Sequence, residues 1–231
     1  MELRRTQFHY EVIVILDSVP GDRTGFIVHQ LCERFSEIRL IERSGKRGVG
    51  DAVRAGIRLA KGNIFVPIMG DHSESPLDLV KLINAIVQGY DVAIGDRFRH
   101  GRPPGYSALK YVANRCYNYL VKLLFHIPSS DTTNAFKSYR TELLEHLILS
   151  SRGFEIFAEI PIKVLRNANL KIVNIQVQHT VRKKREAKLS VFKDGPRYIK
   201  MILLLFSSKE IRAKSYASII LKDSSAEKLG F

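Results

Sequence analysis

The stretch Gly48-Val-Gly-Asp-Ala-Val-Arg-Ala-Gly-Ile-Arg-Leu-Ala-Lys-Gly62, followed at once by Asn63-Ile-Phe-Val-Pro-Ile-Met69, decides the fold class. Its first part has a glycine-rich entrance and a glycine exit, the punctuation of a helix. Its second part is short and oily and reads as a strand. The alternation continues outward. Upstream, Tyr10-Glu-Val-Ile-Val-Ile-Leu16 is a β-branched strand ended by the turn-rich Asp17-Ser-Val-Pro-Gly-Asp22. Ile27, Val28, Leu31 and Phe35 have helical spacing, and residues 37–42 form a second short strand. Downstream, residues 76–88 read as a helix and Tyr90-Asp-Val-Ala-Ile-Gly95 as another strand. Such alternation predicts an α/β chain with a mixed, mainly parallel sheet flanked by helices. Ligands in such sheets sit beyond the carboxyl ends of the strands. Two polar clusters, after Leu16 and after Met69, fall there.

The chain of 231 residues, 45% hydrophobic, is long enough to bury one full core. Its 37 Lys and Arg against 23 Asp and Glu give a net charge of +14, which calls for an anionic partner. The basic residues lack interleaved aromatic platforms, so nucleic acid ranks last among such partners. Cys32 and Cys116, in no paired motif, are expected to be reduced core thiols in a cytosolic compartment. The opening Met-Glu-Leu-Arg-Arg has no apolar signal core, and runs such as Met201-Ile-Leu-Leu-Leu-Phe206 are too short to span a bilayer. The expectation is a protein that is soluble or lies on a surface.

Beyond Phe98 come a basic loop at residues 99–105, a long helix-like segment from Ser107 to Phe125, and the polar turn Ser129-Ser-Asp-Thr-Thr-Asn134. Residues 154–166 look helical, and Lys171 to Gln178 alternates as a strand. The densest basic run, Val181-Arg-Lys-Lys-Arg-Glu-Ala-Lys188, precedes two oily and basic helices from Leu189 onward. The expected organisation is a catalytic domain over 1–188 and an amphipathic helical segment over 189–231.

Several side chains could carry chemistry, each beside a plainer reading. Asp17 and Asp22 could accept hydrogen bonds from a nucleotide, or serve local turn bonding. Asp71 could seed a metal–diphosphate site, because Mg²⁺ takes one or two carboxylates plus substrate phosphates. Ser73 could assist it, or cap the next helix together with Glu74. His72 reads as a loop residue, since no second His lies at ligand spacing. Arg182 to Arg185 could be a solvated loop, and Glu155 and Glu159 lie one helical turn apart.

Taken in order, these pieces resemble family-2 glycosyltransferases close to the dolichyl-phosphate mannose synthases. Residues 46–62 resemble the family's glycine-rich helix segment. They are followed by Met69-Gly-Asp-His-Ser-Glu-Ser-Pro76, Gly95-Asp-Arg-Phe98, Asp131-Thr-Thr-Asn-Ala-Phe-Lys-Ser-Tyr-Arg140, Gly153-Phe-Glu-Ile-Phe-Ala-Glu159 and the basic run 182–188. The resemblance covers roughly residues 10–206. It implies a GT-A type, Rossmann-like fold that moves a hexose, with inversion, from a GDP- or UDP-linked sugar to a polyprenyl phosphate, using Mg²⁺ or Mn²⁺. Asp71 would match the later aspartate of the family's Asp-x-Asp, with Ser73 beside it at the metal. Asp17, Asp22, Gly50, Arg54, Asp71 and Arg97 would bind the nucleotide sugar. Asp131 would stand where acceptor phosphate meets sugar, as a catalytic group with Asp71. Arg182, Lys188 and Glu159 would serve phosphate and acceptor.

This sequence departs from the pattern at Met69, where relatives carry the first Asp, at Ser18 in the nucleotide turn, and at Ala187 in the basic element. Metal binding therefore rests on Asp71 with help from phosphates and Ser73. No strand ending in the family's P-x-Y-N-E element precedes Tyr10. A lipid acceptor suits the tail, where Ile199 to Phe206 stand beside Lys193, Arg197 and Lys200 and could lie on an anionic membrane surface at its cytoplasmic face. The rival readings are a transferase with a soluble sugar acceptor and a non-catalytic relative that binds nucleotide.

Overall fold

The computed structural model describes residues 2–17, 21–44, 48–166, 169–178 and 191–207. Strands β1 (Val12–Asp17) and β2 (Ile38–Arg43) pair in parallel, with Val12 opposite Ile38 and Asp17 opposite Arg43. Helix α1 (Thr24–Arg34) joins them, and α2 (Val49–Leu59) follows. A second sheet contains β3 (Ile64–Phe65), β4 (Val92–Asp96), β5 (Lys137–Arg140) and β6 (Ile172–Gln176), in the order β3-β5-β4-β6. Here β6 runs parallel to β4, whereas β5 runs against both β3 and β4.

The expected strand at 63–69 is regular only at Ile64–Phe65. Pro67 has no N–H to give a ladder and fixes its own φ, so the oily run continues without pairing. Strand β5 was not foreseen. Its direction has a consequence for function. Because β5 is antiparallel to its neighbours, the residues entering it share a rim with those leaving β3, β4 and β6. The segments that carry Asp71, Arg97 and Asp131 therefore leave or enter the sheet at one edge.

Every residue of β4 is buried, as befits a central strand covered on both faces. On one face, Ala93 and Phe136 pack with Leu82, Ala85 and Ile86 of α3 (Pro76–Val87). On the other, Val92, Ile94 and Tyr139 join Val121 and Phe125 of α4 (Ala108–Phe125) and Ile156, Ile160 and Ile162 of α6 (Ile156–Val164). The short helix α5 (Glu142–Glu145) lies between β5 and α6 in the chain. Helix α7 (Val191–Ser207) enters this second core through Tyr198, Met201, Ile202 and Leu205. Burying an aliphatic side chain of this size contributes about 1.5–3 kcal/mol, so α7 is anchored along one face.

Cysteine placement differs from expectation. Cys32 is half-buried and Cys116 is exposed. On α4 the inward positions are Asn118, Val121 and Phe125, and Cys116 falls on the outward face.

Candidate functional site

The most tightly specified cluster joins the end of β4 to the entry of β5. Arg97 donates to both carboxylate oxygens of Asp131, from Nε at 2.7 Å and Nη2 at 2.9 Å. Its backbone N–H reaches the same carboxylate at 3.3 Å, and Thr133 Oγ1 donates to Asp131 Oδ1 at 3.2 Å. Asp131 is fully buried. Burial works to raise its pKa, but the Arg97 guanidinium overcomes this and holds the carboxyl below its ordinary range. Both oxygens are engaged, so this carboxylate orients a neighbour instead of taking up a proton. The Arg97 Nη1 makes none of these bonds, and the guanidinium carbon lies 4.9 Å from the Phe98 ring centroid.

The turn carrying Asp131 is braced from several sides. Asn118 Oδ1 accepts from the N–H and hydroxyl of Thr132, at 2.6 and 2.7 Å. Asn134 donates to the Gly95 carbonyl at 2.7 Å. The fully buried Lys137 ammonium donates to the carbonyls of Thr132 and Asn134 and, at 3.4 Å, of Phe157. Burial pulls its pKa down to about 7 against the pull of Asp131. Asn114 and Thr133, which complete the network around Arg97, were missed from sequence, as was Lys137.

Asp71 follows β3 on the same rim. Its carboxylate accepts the Ser73 N–H at 3.1 Å across a turn in which His72 takes the left-handed conformation, φ 57°. The reading of Ser73 and Glu74 as a helix cap does not hold. Ser75 is the N-cap of α3, and no side chain caps it. Glu74 instead has a buried Oε2 without a hydrogen-bond partner. Burial, and after it the charge of Asp71, pushes the Glu74 carboxyl up to about 7, with Ser73 opposing. A buried carboxyl raised by its surroundings, with an orphaned oxygen and the charge of Asp71 beside it, makes a place a cation would relieve. Among the described residues no three His, Cys, Asp or Glu side chains converge. A hard cation held by Asp71 would have to complete its shell with water and phosphate oxygens.

The remaining candidates gather elsewhere. Asp17 is held by Arg43 and by the Gly48 N–H at 3.1 Å. Asp22 accepts from Thr24 N–H at 2.9 Å and from the Thr24 hydroxyl, the local bonding that was its plainer reading. Arg54 donates to the carbonyls of Ser151 and Leu149, at 2.6 and 3.2 Å, and pairs with Asp51. Gly50 N–H donates to the Arg152 carbonyl at 2.9 Å. Glu159, fully buried, accepts from Ser150 N–H, Ser151 N–H and the Lys163 ammonium. Gly50, Arg54 and Glu159 thus converge on one segment, residues 149–152, and brace it against α2 and α6. Arg182 and Lys188 lie outside the described residues.

The glycine at 50 is demanded by this close approach. A Cβ there would collide with the Ser151 carbonyl and lie 2.8 Å from Arg152 Cα. Gly50→Ala should lower unfolding free energy by about 1–3 kcal/mol, the usual cost of overpacking. Urea denaturation checks this, and an unchanged midpoint would show that the segment yields freely.

The glycosyl transferase family 2 model matches residues 2–148. Among curated proteins, the dolichol-phosphate mannosyltransferase of Pyrococcus furiosus is 28% identical over 186 residues, 78% of this chain and 51% of that protein. The chain thus spans about half the length of that relative. The polyprenol monophosphomannose synthase of Mycolicibacterium smegmatis is 26% identical over 77% of this chain and 70% of its own. Among solved structures, glucosyl-3-phosphoglycerate synthase of Mycobacterium tuberculosis, in complex with Mn²⁺, uridine diphosphate and phosphoglyceric acid, superposes with a TM-score of 0.60. The match has 17% identity and covers 85% of this chain and 68% of that one, a likeness of fold.

Proposed function

The chain belongs to glycosyl transferase family 2, and from that premise we propose that it moves a hexose from a GDP- or UDP-linked sugar to a polyprenyl phosphate, with inversion at the sugar carbon. What supports this reading is the common sheet edge at which the segments bearing Asp71, Arg97 and Asp131 leave or enter, set by the antiparallel entry of β5, with Arg97 bonded to Asp131. Asp71, with Ser73 and the orphaned oxygen of Glu74 nearby, would hold Mg²⁺ or Mn²⁺. That ion supplies charge neutralisation on the leaving diphosphate. A polyprenyl phosphate is already an oxyanion near neutral pH and needs little help from a base. Asp131 accordingly acts through Arg97, aiming Nη1 at an anionic oxygen of acceptor or donor. Arg182 and Lys188 are assigned to the phosphates by the resemblance. Asp17, Asp22, Gly50 and Arg54 form or brace the nucleotide turn, with Glu159 supporting the segment they pack on.

A lipid acceptor suits the outer faces of α7 and α4. Helix α7 exposes Phe192, Ile199, Leu203, Leu204 and Phe206 beside Arg197 and Lys200, while α4, packed against it, exposes Leu109, Val112, Tyr119 and Leu123. Apolar rows flanked by cations fit an anionic membrane surface, on which we place the protein peripherally at the cytoplasmic face. No helix among the described residues is long and apolar enough to cross a membrane. The test is incubation with Mn²⁺, labelled GDP-mannose or UDP-glucose, and a polyprenyl phosphate. Label passing into the lipid phase is the expected result. Label passing only to a soluble acceptor, or nucleotide binding without transfer, would overturn it.

A further inference from the structure

Beside the Arg97–Asp131 pair in the chain lies a hollow of about 350 Å³, between α4, the turn leaving β4, residues 128–130 and Asn174 of β6. We propose that it binds a hydroxyl-bearing phosphate ester, a polyol phosphate. The inference stands apart from the transferase reading, because the walls of this hollow are side chains not used there, apart from Asn118, whose oxygen also braces Thr132. At the end of β4, Asp96 lines it while the next residue, Arg97, turns to Asp131. On α4, Asn114 serves Thr133, whereas Arg115 and Lys122 line the hollow.

Its electrostatics call for an anion. Arg99, Arg115 and Lys122 stand around it, and neither Arg115 nor Lys122 has an acidic partner among the described residues. One carboxylate opposes them, Asp96, and it is already engaged by the Phe98 N–H at 2.9 Å and by the Ser130 hydroxyl. Arg115 spends one N–H on the Ser130 carbonyl at 3.0 Å and keeps donors to spare. A phosphate facing Arg115 and Lys122 would make charge-assisted bonds.

The wall also offers an acceptor that an ionised phosphate oxygen cannot satisfy. Asn174 donates from Nδ2 to the Pro128 carbonyl at 3.1 Å, but its Oδ1 is buried with no partner. A buried acceptor left unpaired costs free energy, so a ligand group that donates a hydrogen bond is favoured there. Anion and hydroxyl together, in a hollow larger than one phosphate fills, define a polyol phosphate such as a glycerol phosphate. Two sources share that chemistry, a free metabolite and a phospholipid headgroup. Tyr119 lies in the wall and continues into the exposed apolar row of α4, which suits the headgroup.

Calorimetry on the full chain, with glycerol 3-phosphate as the probe and inorganic phosphate as the comparison, tests the assignment. Glycerol 3-phosphate should bind about tenfold more tightly than phosphate, and Lys122→Glu should weaken it by about tenfold or more. Lys122 is exposed, so this variant keeps the fold, which circular dichroism verifies. Absence of glycerol 3-phosphate binding, equal affinity for phosphate, or indifference to Lys122→Glu would each overturn the proposal. Flotation with phosphatidylglycerol against phosphatidylcholine vesicles separates the sources: loss of the phosphatidylglycerol preference in Lys122→Glu identifies the headgroup, and its retention identifies a soluble ester. If sugar transfer proves absent while glycerol 3-phosphate still binds, the transferase reading fails and this site stands.

Discussion

Replacing Asp131 by Asn should cost the protein about 3–5 kcal/mol of stability, because it strands a buried guanidinium without its counter-charge. Arg97 is almost enclosed, with its side chain 13% exposed, and Asp131 is not exposed at all. The Coulomb energy of the pair offsets the desolvation of both ions only while both are present. Arg97→Met should be similarly damaging, leaving a buried carboxylate with only the Thr133 hydroxyl and the backbone N–H of residue 97 as donors. The double variant Arg97→Met/Asp131→Asn should lose far less than the sum of the two. Urea unfolding of the three proteins gives the coupling directly. Small and additive losses, under about 1 kcal/mol each, would mean that the pair is effectively solvated. Transfer should fall in all three variants, including the stable double one, since each loses the oriented guanidinium.

Asp71→Asn is expected to reduce metal-dependent transfer by roughly a hundredfold or more, as loss of a preorganised charge contact does elsewhere. The substitution keeps the Ser73 N–H acceptor and hence the local turn, so folding should survive. It removes the negative charge that a cation needs. Wild-type protein treated with a chelator should then behave like the variant, and binding of the nucleoside without its diphosphate should be unaltered in both. A variant that still transfers with Mn²⁺ dependence would remove Asp71 from the metal site.

The elements read correctly from sequence were those with a single periodic face. Helices α3 and α4 fell within one residue of expectation, and α2 ended three residues before its expected glycine exit, because their apolar spacing and glycine or proline boundaries agree. Strand β5 escaped for a physical reason. Its residues Lys137 and Ser138 are fully buried, and a buried lysine is tolerable only because the turn before it folds back to offer the Thr132 and Asn134 carbonyls, joined by that of the distant Phe157. No local pattern announces that. The bond between Arg97 and Asp131 spans 34 positions, and sequence supplied the two residues as members of separate motifs without joining them. Likewise Arg54 and Gly50 were taken as ligands of a nucleotide. Their spacing could not disclose that the segment at 149–152 packs against both.

The account turns on a divalent ion and a nucleotide diphosphate meeting at the rim where β3 and β4 end and β5 begins. Amide NMR of the full chain with nucleoside diphosphate and a trace of Mn²⁺ tests this most directly, since the paramagnetic ion broadens signals by distance. Broadening centred on Asp71, Ser73 and Arg97, with Glu11 and Asn63 at the opposite ends of the strands untouched, is the expected result. Broadening spread over the chain's surface, or centred away from Asp71, would contradict it.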